Sequence, residues 1–261
     1  MSDSKLTSNL APVADPVADP VADPVSKSNP VPVSDTKTTS KPLYYDVNKI
    51  EFSGAGTIII EDCFNPTSKT IEPCVVLVKN KEGRFMDFGG GYEFKHKTLD
   101  ITAQNELREE SRNLLNIDPR HFTNYVDVRV GESAHYRTHI LKINGIHRSE
   151  FLFNKQLIDS VHQSGQKVPY SWRETYDIAH IPLKSINFKT LGRKCDMFFL
   201  KDIDGKDILL HGRTKTALFR SHKMILSLIR TKPIATRIDV ITYRSYEKEL
   251  WTNGTKCFLI K

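Results

Sequence analysis

The chain has 261 residues, with 38 Lys and Arg against 31 Asp and Glu for a formal net charge of +7, and it is 39% hydrophobic and 26% charged. This composition excludes a wholly disordered or collagen-like chain, and the length leaves room for one core of catalytic size plus a tail or two. The longest aliphatic runs, Ile58 to Ile60 and Val75 to Val78, fall far below the roughly 18 to 20 apolar residues of a membrane span, so no membrane partner is expected.

In chain order, residues 1–42 come first as a distinct tract. Pro12-Val-Ala-Asp15 recurs as Pro16 to Asp19 and Pro20 to Asp23, then gives way to a Ser/Thr/Lys/Pro stretch. Proline removes backbone donors, and the tract has no aromatic side chain to bury, so a disordered N-terminal arm is expected. The arm carries a net charge of −1, which leaves +8 on the remainder. Its opening Met-Ser-Asp-Ser-Lys-Leu lacks the apolar stretch of a secretory signal, which predicts a cytoplasmic protein.

The first strand is predicted over Ser53 to Ile60, interrupted by Gly54 and Gly56. Cys74 to Val78 and Arg84 to Phe88 read as a hairpin joined through Gly83. Gly89, Gly90 and Gly91 then read as a loop ahead of a helix that Thr98 or Asp100 caps and that runs to about Leu115. Strands follow over Tyr125 to Val130 and Ala134 to Ile143, with a helix over Phe151 to His162. Ile178 to Leu183, Met197 to Leu200 and Asp207 to Leu210 read as strands before a last helix over Thr214 to Arg230. Alternation of this kind predicts a mixed sheet packed with helices.

The chemically informative stretch is Phe88-Gly-Gly-Gly-Tyr-Glu93, followed fifteen residues after Gly91 by Glu106-Leu-Arg-Glu-Glu110. Glu106, Glu109 and Glu110 stand at i, i+3 and i+4, so the three carboxylates share one helical face and repel. A divalent cation would relieve that repulsion, and hard oxygen donors suit Mg²⁺ or Mn²⁺ over zinc. The same pentapeptide also suits an ordinary solvated helix face. Three glycines between a strand and this helix favour the metal reading, because they let the backbone approach phosphates.

These residues resemble the signature box of the Nudix hydrolase superfamily. Gly91 takes the first Gly of the box, and Glu106, Leu107, Glu109 and Glu110 take its Glu, aliphatic and Glu-Glu positions. Lys97, Asn105, Arg112 and Asn113 depart from it, standing where Glu, Arg, Gly and an aliphatic belong. The resemblance implies that the first Glu and the Arg pair structurally, so their joint replacement leaves neither charge alone; Glu93 or His96 would supply any lost help with the metal. Arg112, near a helix C-terminus, suits the dipole there.

The resemblance further implies an α/β fold, an α/β/α sandwich about a mixed sheet, with a Nudix domain over 43–232 and a basic extension over 233–261. It implies Mg²⁺ or Mn²⁺ held by Glu106, Glu109 and Glu110, and hydrolysis of the diphosphate linkage of a nucleoside diphosphate derivative. Gly90, Gly91 and Glu93 then fall on the substrate side. Trp172-Arg-Glu-Thr175 resembles the segment that supplies a further acid, which makes Glu174 the candidate for activating water, against an ordinary surface carboxylate. Trp172 suits either a core position or stacking on a base.

From Lys184 onward seventeen Lys and Arg face seven acids, a local +10, with Tyr243, Tyr246 and Trp251 interleaved. This makes RNA the alternative partner, and messenger decapping the rival reaction, against a merely solvated basic face. A nucleotide-binding or protein-binding module without turnover is the rival of another class, motivated by Lys97 and Asn105. His211-Gly-Arg-Thr-Lys215 opens the last helix and makes Arg213 a candidate phosphate contact, beside the plainer reading of a helix start. His135 and His139 share one side of a strand but lack a third ligand, and no metal is assigned to them. Cys63, Cys74, Cys195 and Cys257 show no zinc-knuckle spacing and read as four ordinary thiols.

Overall fold

A computed structural model describes residues 42–143, 145–193 and 197–234. The arm expected over 1–42 and the extension expected over 233–261, with Tyr243, Tyr246 and Trp251, lie almost wholly outside these residues.

The elements run β1 (Tyr44–Tyr45), β2 (Glu51–Asn65), β3 (Thr70–Lys79), β4 (Phe85–Met86), β5 (Phe88–Gly91), α1 (Leu99–Glu110), β6 (Tyr125–Arg129), β7 (His135–Lys142) and α2 (Arg148–Gln163). They continue through β8 (Asp177–Pro182), α3 (Phe188–Leu191), β9 (Phe199–Lys201), β10 (Asp207–Leu209) and α4 (Gly212–Leu228). Eight strands form one mixed sheet, and β9 and β10 form a separate hairpin. No helix among the described residues is long and apolar enough to cross a membrane.

The central strand is β2. It runs parallel to β7 and antiparallel to β3 and β5. Strand alternation sends successive side chains to opposite faces. Ile59, Val76, Val78 and Leu141 accordingly meet Leu99, Ala103 and Leu107 of α1 and Phe151 of α2. Ile58, Ile60, Val75, Leu77 and Ile140 meet Ala217, Leu218 and Ile225 of α4 on the other face. Both faces of β2 are therefore covered, which explains why its apolar run is continuous rather than alternating. The result is the expected α/β/α sandwich about a mixed sheet.

Two local expectations are corrected. The helix expected to reach Leu115 ends at Glu110, because Arg112 and Asn113 take left-handed backbone angles, φ 57 and 62, that no α-helix accommodates. The glycines expected in a loop form β5 instead, with Gly89, Gly90 and Gly91 opposite Gly56, Ala55 and Gly54 of β2. Antiparallel to β2, the partner on this side changes along its length, from β5 over Gly54–Thr57 to β3 over Ile59–Asn65. The glycine strand thus fills the place that β3 leaves.

Candidate active site

The candidate site lies where α1 crosses β5. Thr98 caps the helix, its Oγ1 accepting from the Ile101 amide at 3.3 Å, and an uncapped start would cost about 1 kcal/mol. The buried side chains Leu99, Ala103 and Leu107 fix the rotation of α1 on the sheet. Glu106, Glu109 and Glu110 occupy the last turn and a half, and of these Glu106 and Glu110 reach the glycine strand.

The fit between acids and glycines is close. The Gly89 amide donates to Glu110 Oε2 at 2.6 Å. A Cβ on Gly90 would stand 2.5 Å from the Glu106 carboxyl carbon and 2.5 and 2.6 Å from its two oxygens. A Cβ on Gly89 would collide with the Tyr136 hydroxyl and with the backbone of Gly56 and Ala55. None of the three glycines of β5 takes a positive φ. Gly89 and Gly90 are required by close approach, not by a turn, whereas a Cβ on Gly91 would meet only the Ser53 carbonyl at 3.8 Å, an ordinary contact.

Charge in this space is concentrated and largely uncompensated. Burial first, then the charges of Glu109, Glu174 and Glu93, raise the Glu106 carboxyl to about 8. Burial and the neighbouring Glu106 hold Glu110 well above the usual carboxylate range, against the opposing bond from Gly89. Glu174 is exposed and is raised by desolvation and by Glu109. Glu93 is paired with Lys95 at 2.7 Å on the surface, which lowers it. His96, the other residue near the missing box Glu, is buried with Nδ1 3.3 Å from Thr102 Oγ1. Lys97 itself adopts a positive φ of 63 at the end of the short turn Phe94–His96.

Arg112, expected to suit the dipole at the helix end, also makes specific bonds. It is fully buried, and its guanidinium donates to the carbonyls of Trp172 and Thr175 and lies 5.0 Å from the Phe151 ring centroid. This links the end of α1 to the turn Tyr170–Arg173 and so to Glu174. Trp172 is half-buried in that turn.

Arg213 stands one residue inside α4, whose N-cap is His211; the His211 Nδ1 accepts from the Arg213 amide at 3.3 Å. Its guanidinium is committed to Asp87 Oδ1 at 3.1 Å and stacks 3.6 Å from the Tyr136 ring centroid. Asp87 is fully buried and also accepts from Thr214 Oγ1 at 2.8 Å. Sequence reading missed Asp87 and Tyr136. Neither carries a motif, and both acquire their place only when β5, β7 and the start of α4 meet.

The donor chemistry suits a hard divalent cation: Glu106, Glu109, Glu110 and Glu174 offer carboxylate oxygens from two segments, and half-buried Glu106 and buried Glu110 are raised groups whose ionisation a cation would favour. No three of these carboxylates bring ligand atoms within 4.8 Å of one another, so a cation would have to draw them together.

No protein-family model matches the chain, and no curated protein matches it either. Solved structures with some likeness include a MutT/nudix family protein from Enterococcus faecalis, at 11% identity and a TM-score of 0.40, covering 71% of this chain and 70% of that one. A C. elegans Ap4A hydrolase in a binary complex shows 11% identity and a TM-score of 0.35, covering 66% of this chain and 96% of that one.

Proposed function

We propose that the chain is a Nudix-type pyrophosphohydrolase that cleaves the diphosphate linkage of a nucleoside diphosphate derivative with Mg²⁺ or Mn²⁺. One observation carries this reading: Glu106 and Glu110 are packed into the glycine strand, one against Gly90 and the other on the Gly89 amide. A solvated helix face would turn its carboxylates outward, whereas desolvating two neighbouring acids, Glu106 in part and Glu110 fully, costs free energy unless a cation compensates them.

Glu106, Glu109 and Glu110 are the residues that would hold the ion. A bound divalent ion would supply charge neutralisation for a diphosphate and favour ionisation of the attacking water. The chain's own groups do the rest. Gly90 and Gly91 present backbone without side chains beside the acids, so a phosphate can approach closely. Glu174, exposed and raised by desolvation and by Glu109, would accept the proton of the attacking water. Glu93, paired with Lys95 in the turn after β5, is close enough for its charge to act on Glu106. Arg213 supports the glycine strand from behind through Asp87.

The decisive assay offers nucleoside diphosphate derivatives and capped RNA with Mg²⁺ or Mn²⁺ to the wild type and to Glu109→Gln. Metal-dependent cleavage by the wild type, lowered roughly 100-fold or more in the variant, is expected. Equal rates reject the role of Glu109. Ligand binding without cleavage of any substrate rejects hydrolysis in favour of a binding module. Preferred release of capped nucleotide from RNA, with a steep salt dependence, would favour the decapping rival.

A further inference from the structure

A second group of metal-ligating side chains gathers away from the glycine strand. Glu61, Cys63 and His180 each bring one ligand atom, and these atoms lie within 4.8 Å of one another. Glu61 is five residues beyond Gly56 along β2, about 17 Å at the usual rise of a strand. The Glu106 site and this one therefore share no ligands.

Strand pairing assembles the group from residues far apart in sequence. Glu61 and Cys63 share one face of β2, and Cys74 of β3 stands opposite Glu61 in the register. His180 of β8 lies opposite Val76 of β3, on the strand beyond. Cys74 also contacts Cys63 through its side chain, which places a second sulfur at the group's edge.

Glu61 shows the strongest sign of a ligand. Its side chain is only 5% exposed. Oε1 is fully engaged, accepting from the amides of Gly145 at 2.5 Å and Ile146 at 3.0 Å. Oε2 is buried without a hydrogen-bond partner. That second oxygen is aimed into the group, 3.3 Å from His180 Nε2. The bonds to Oε1 hold the carboxylate in place, which is the work that groups behind a metal ligand ordinarily perform.

We propose that Glu61, Cys63 and His180, with Cys74 as fourth ligand, bind zinc or a divalent ion of similar softness. Sulfur and imidazole donors select such ions over Mg²⁺. In a tetrahedral site with bonds of roughly 2.0 to 2.3 Å, neighbouring donors stand about 3.3 to 3.8 Å apart. The Glu61–His180 pair already meets this spacing, and closing the distances to Cys63, which are within 4.8 Å, requires movements of about 1 Å; Cys74 lies outside that group and would have to turn its thiol inward. On binding, each ligating thiol releases its proton to solvent. The imidazole proton on Nε2, which faces the Ile146 carbonyl at 3.0 Å, moves to Nδ1 so that the Nε2 lone pair meets the ion. The ion would join β2, β3 and β8 at the end of the sheet remote from the hydrolytic site, as a structural clip.

The full chain, reduced and stripped by chelator, is titrated with Co²⁺. One equivalent is expected to give the near-ultraviolet band of thiolate-to-cobalt charge transfer, and added Zn²⁺ is expected to abolish it by displacement. Cys63→Ser should remove or strongly diminish the band, and His180→Ala should weaken Co²⁺ binding roughly tenfold or more. Glu106→Gln and a Cys195→Ser/Cys257→Ser double variant should leave the band intact. Absence of the band in the wild type, its survival in Cys63→Ser, or its loss in the double variant would overturn the assignment. Because Glu106→Gln is a control here, the hydrolytic reading and the zinc site can fail separately.

Discussion

Thr175 Oγ1 donates to the Glu110 carbonyl at 3.1 Å, while the Thr175 carbonyl in turn accepts from Arg112. This reciprocal pair binds the end of the acid-bearing helix to the segment that carries Glu174. Arg112 adopts a left-handed backbone conformation suited to glycine, at a cost of about 1 to 2 kcal/mol. Hydrogen bonds from a charged group, each typically about 1.5 to 3 kcal/mol, outweigh that cost.

Arg112→Gly restores the residue of the Nudix box and relieves the backbone, yet it should destabilise the protein. Two carbonyls lose their donor and a cavity opens beside Phe151. A loss of about 2 to 4 kcal/mol is expected in urea unfolding. Hydrolysis should fall with it, in kcat more than in KM, because the Glu174 segment loses its tether. A variant as stable as the wild type would reject the clamp.

Gly90→Ala and Gly89→Ala separate site from fold. The nearest atoms to a methyl on Gly90 are the end of a side chain, the Glu106 carboxyl, which can swing away. Activity should drop roughly 100-fold, about 2.7 kcal/mol in the barrier, with a modest change in melting temperature. The methyl on Gly89 meets the Gly56 and Ala55 backbone and Tyr136, which cannot yield without parting β5 from β2. Loss of folded protein is expected there. Thermal melts and initial rates of the two variants, taken together, give the comparison, and equal melting temperatures would refute it.

Much of this architecture is legible in the residues themselves. Ile58 to Ile60 and Val75 to Val78 specify strands because apolar β-branched runs suit a sheet covered on both faces, and Thr98 marks the start of α1 through its own hydroxyl. The glycine strand is not legible, because residues without side chains carry no periodicity; only Gly54 and Gly56 opposite them reveal the pairing. Leu114 and Leu115 prolong the apolar pattern of α1, but they are buried beyond its end, after the left-handed pair. Of the candidate site, the Glu trio is proposed from spacing and resemblance and Glu174 from resemblance. Asp87 and Arg213 are 126 residues apart, so their union is a product of the sheet and α4 docking together.

That union gives a further prediction. Asp87→Ala would leave Arg213 buried with its carboxylate partner removed, and the Thr214 hydroxyl, which still accepts from the residue 87 amide, without the carboxylate it donates to. Breaking a buried ion pair in this way costs about 3 to 5 kcal/mol. Replacing both partners, as Asp87→Ala with Arg213→Met, should recover part of the loss, since no isolated charge remains. Chemical denaturation of the two single variants and the double variant measures the coupling. Strict additivity of the two losses would show that the pair contributes nothing as a pair.

His139 sets a dependence of stability on acid. It is fully buried on β7, edge-on to Phe122 and Tyr125 with ring centroids at 5.2 and 5.7 Å. Burial, followed by the Arg137 guanidinium, depresses its pKa from 6.5 to about 3, while the Phe122 backbone opposes the shift weakly. The Asp100 carboxylate, 3.4 Å from Nε2, does not reverse it. The folded state therefore binds a proton at His139 less readily than the unfolded chain. Its contribution is present above about pH 6.5 and is lost as the pH falls toward 3, with a slope of at most about 1.4 kcal/mol per pH unit. His96 and His211 are depressed as well and add in the same direction. His139→Phe keeps an aromatic ring between Phe122 and Tyr125 but removes the titrating group. Its unfolding free energy should fall less steeply between pH 6.5 and 4.5 than that of the wild type, and parallel profiles would assign the acid sensitivity to other groups.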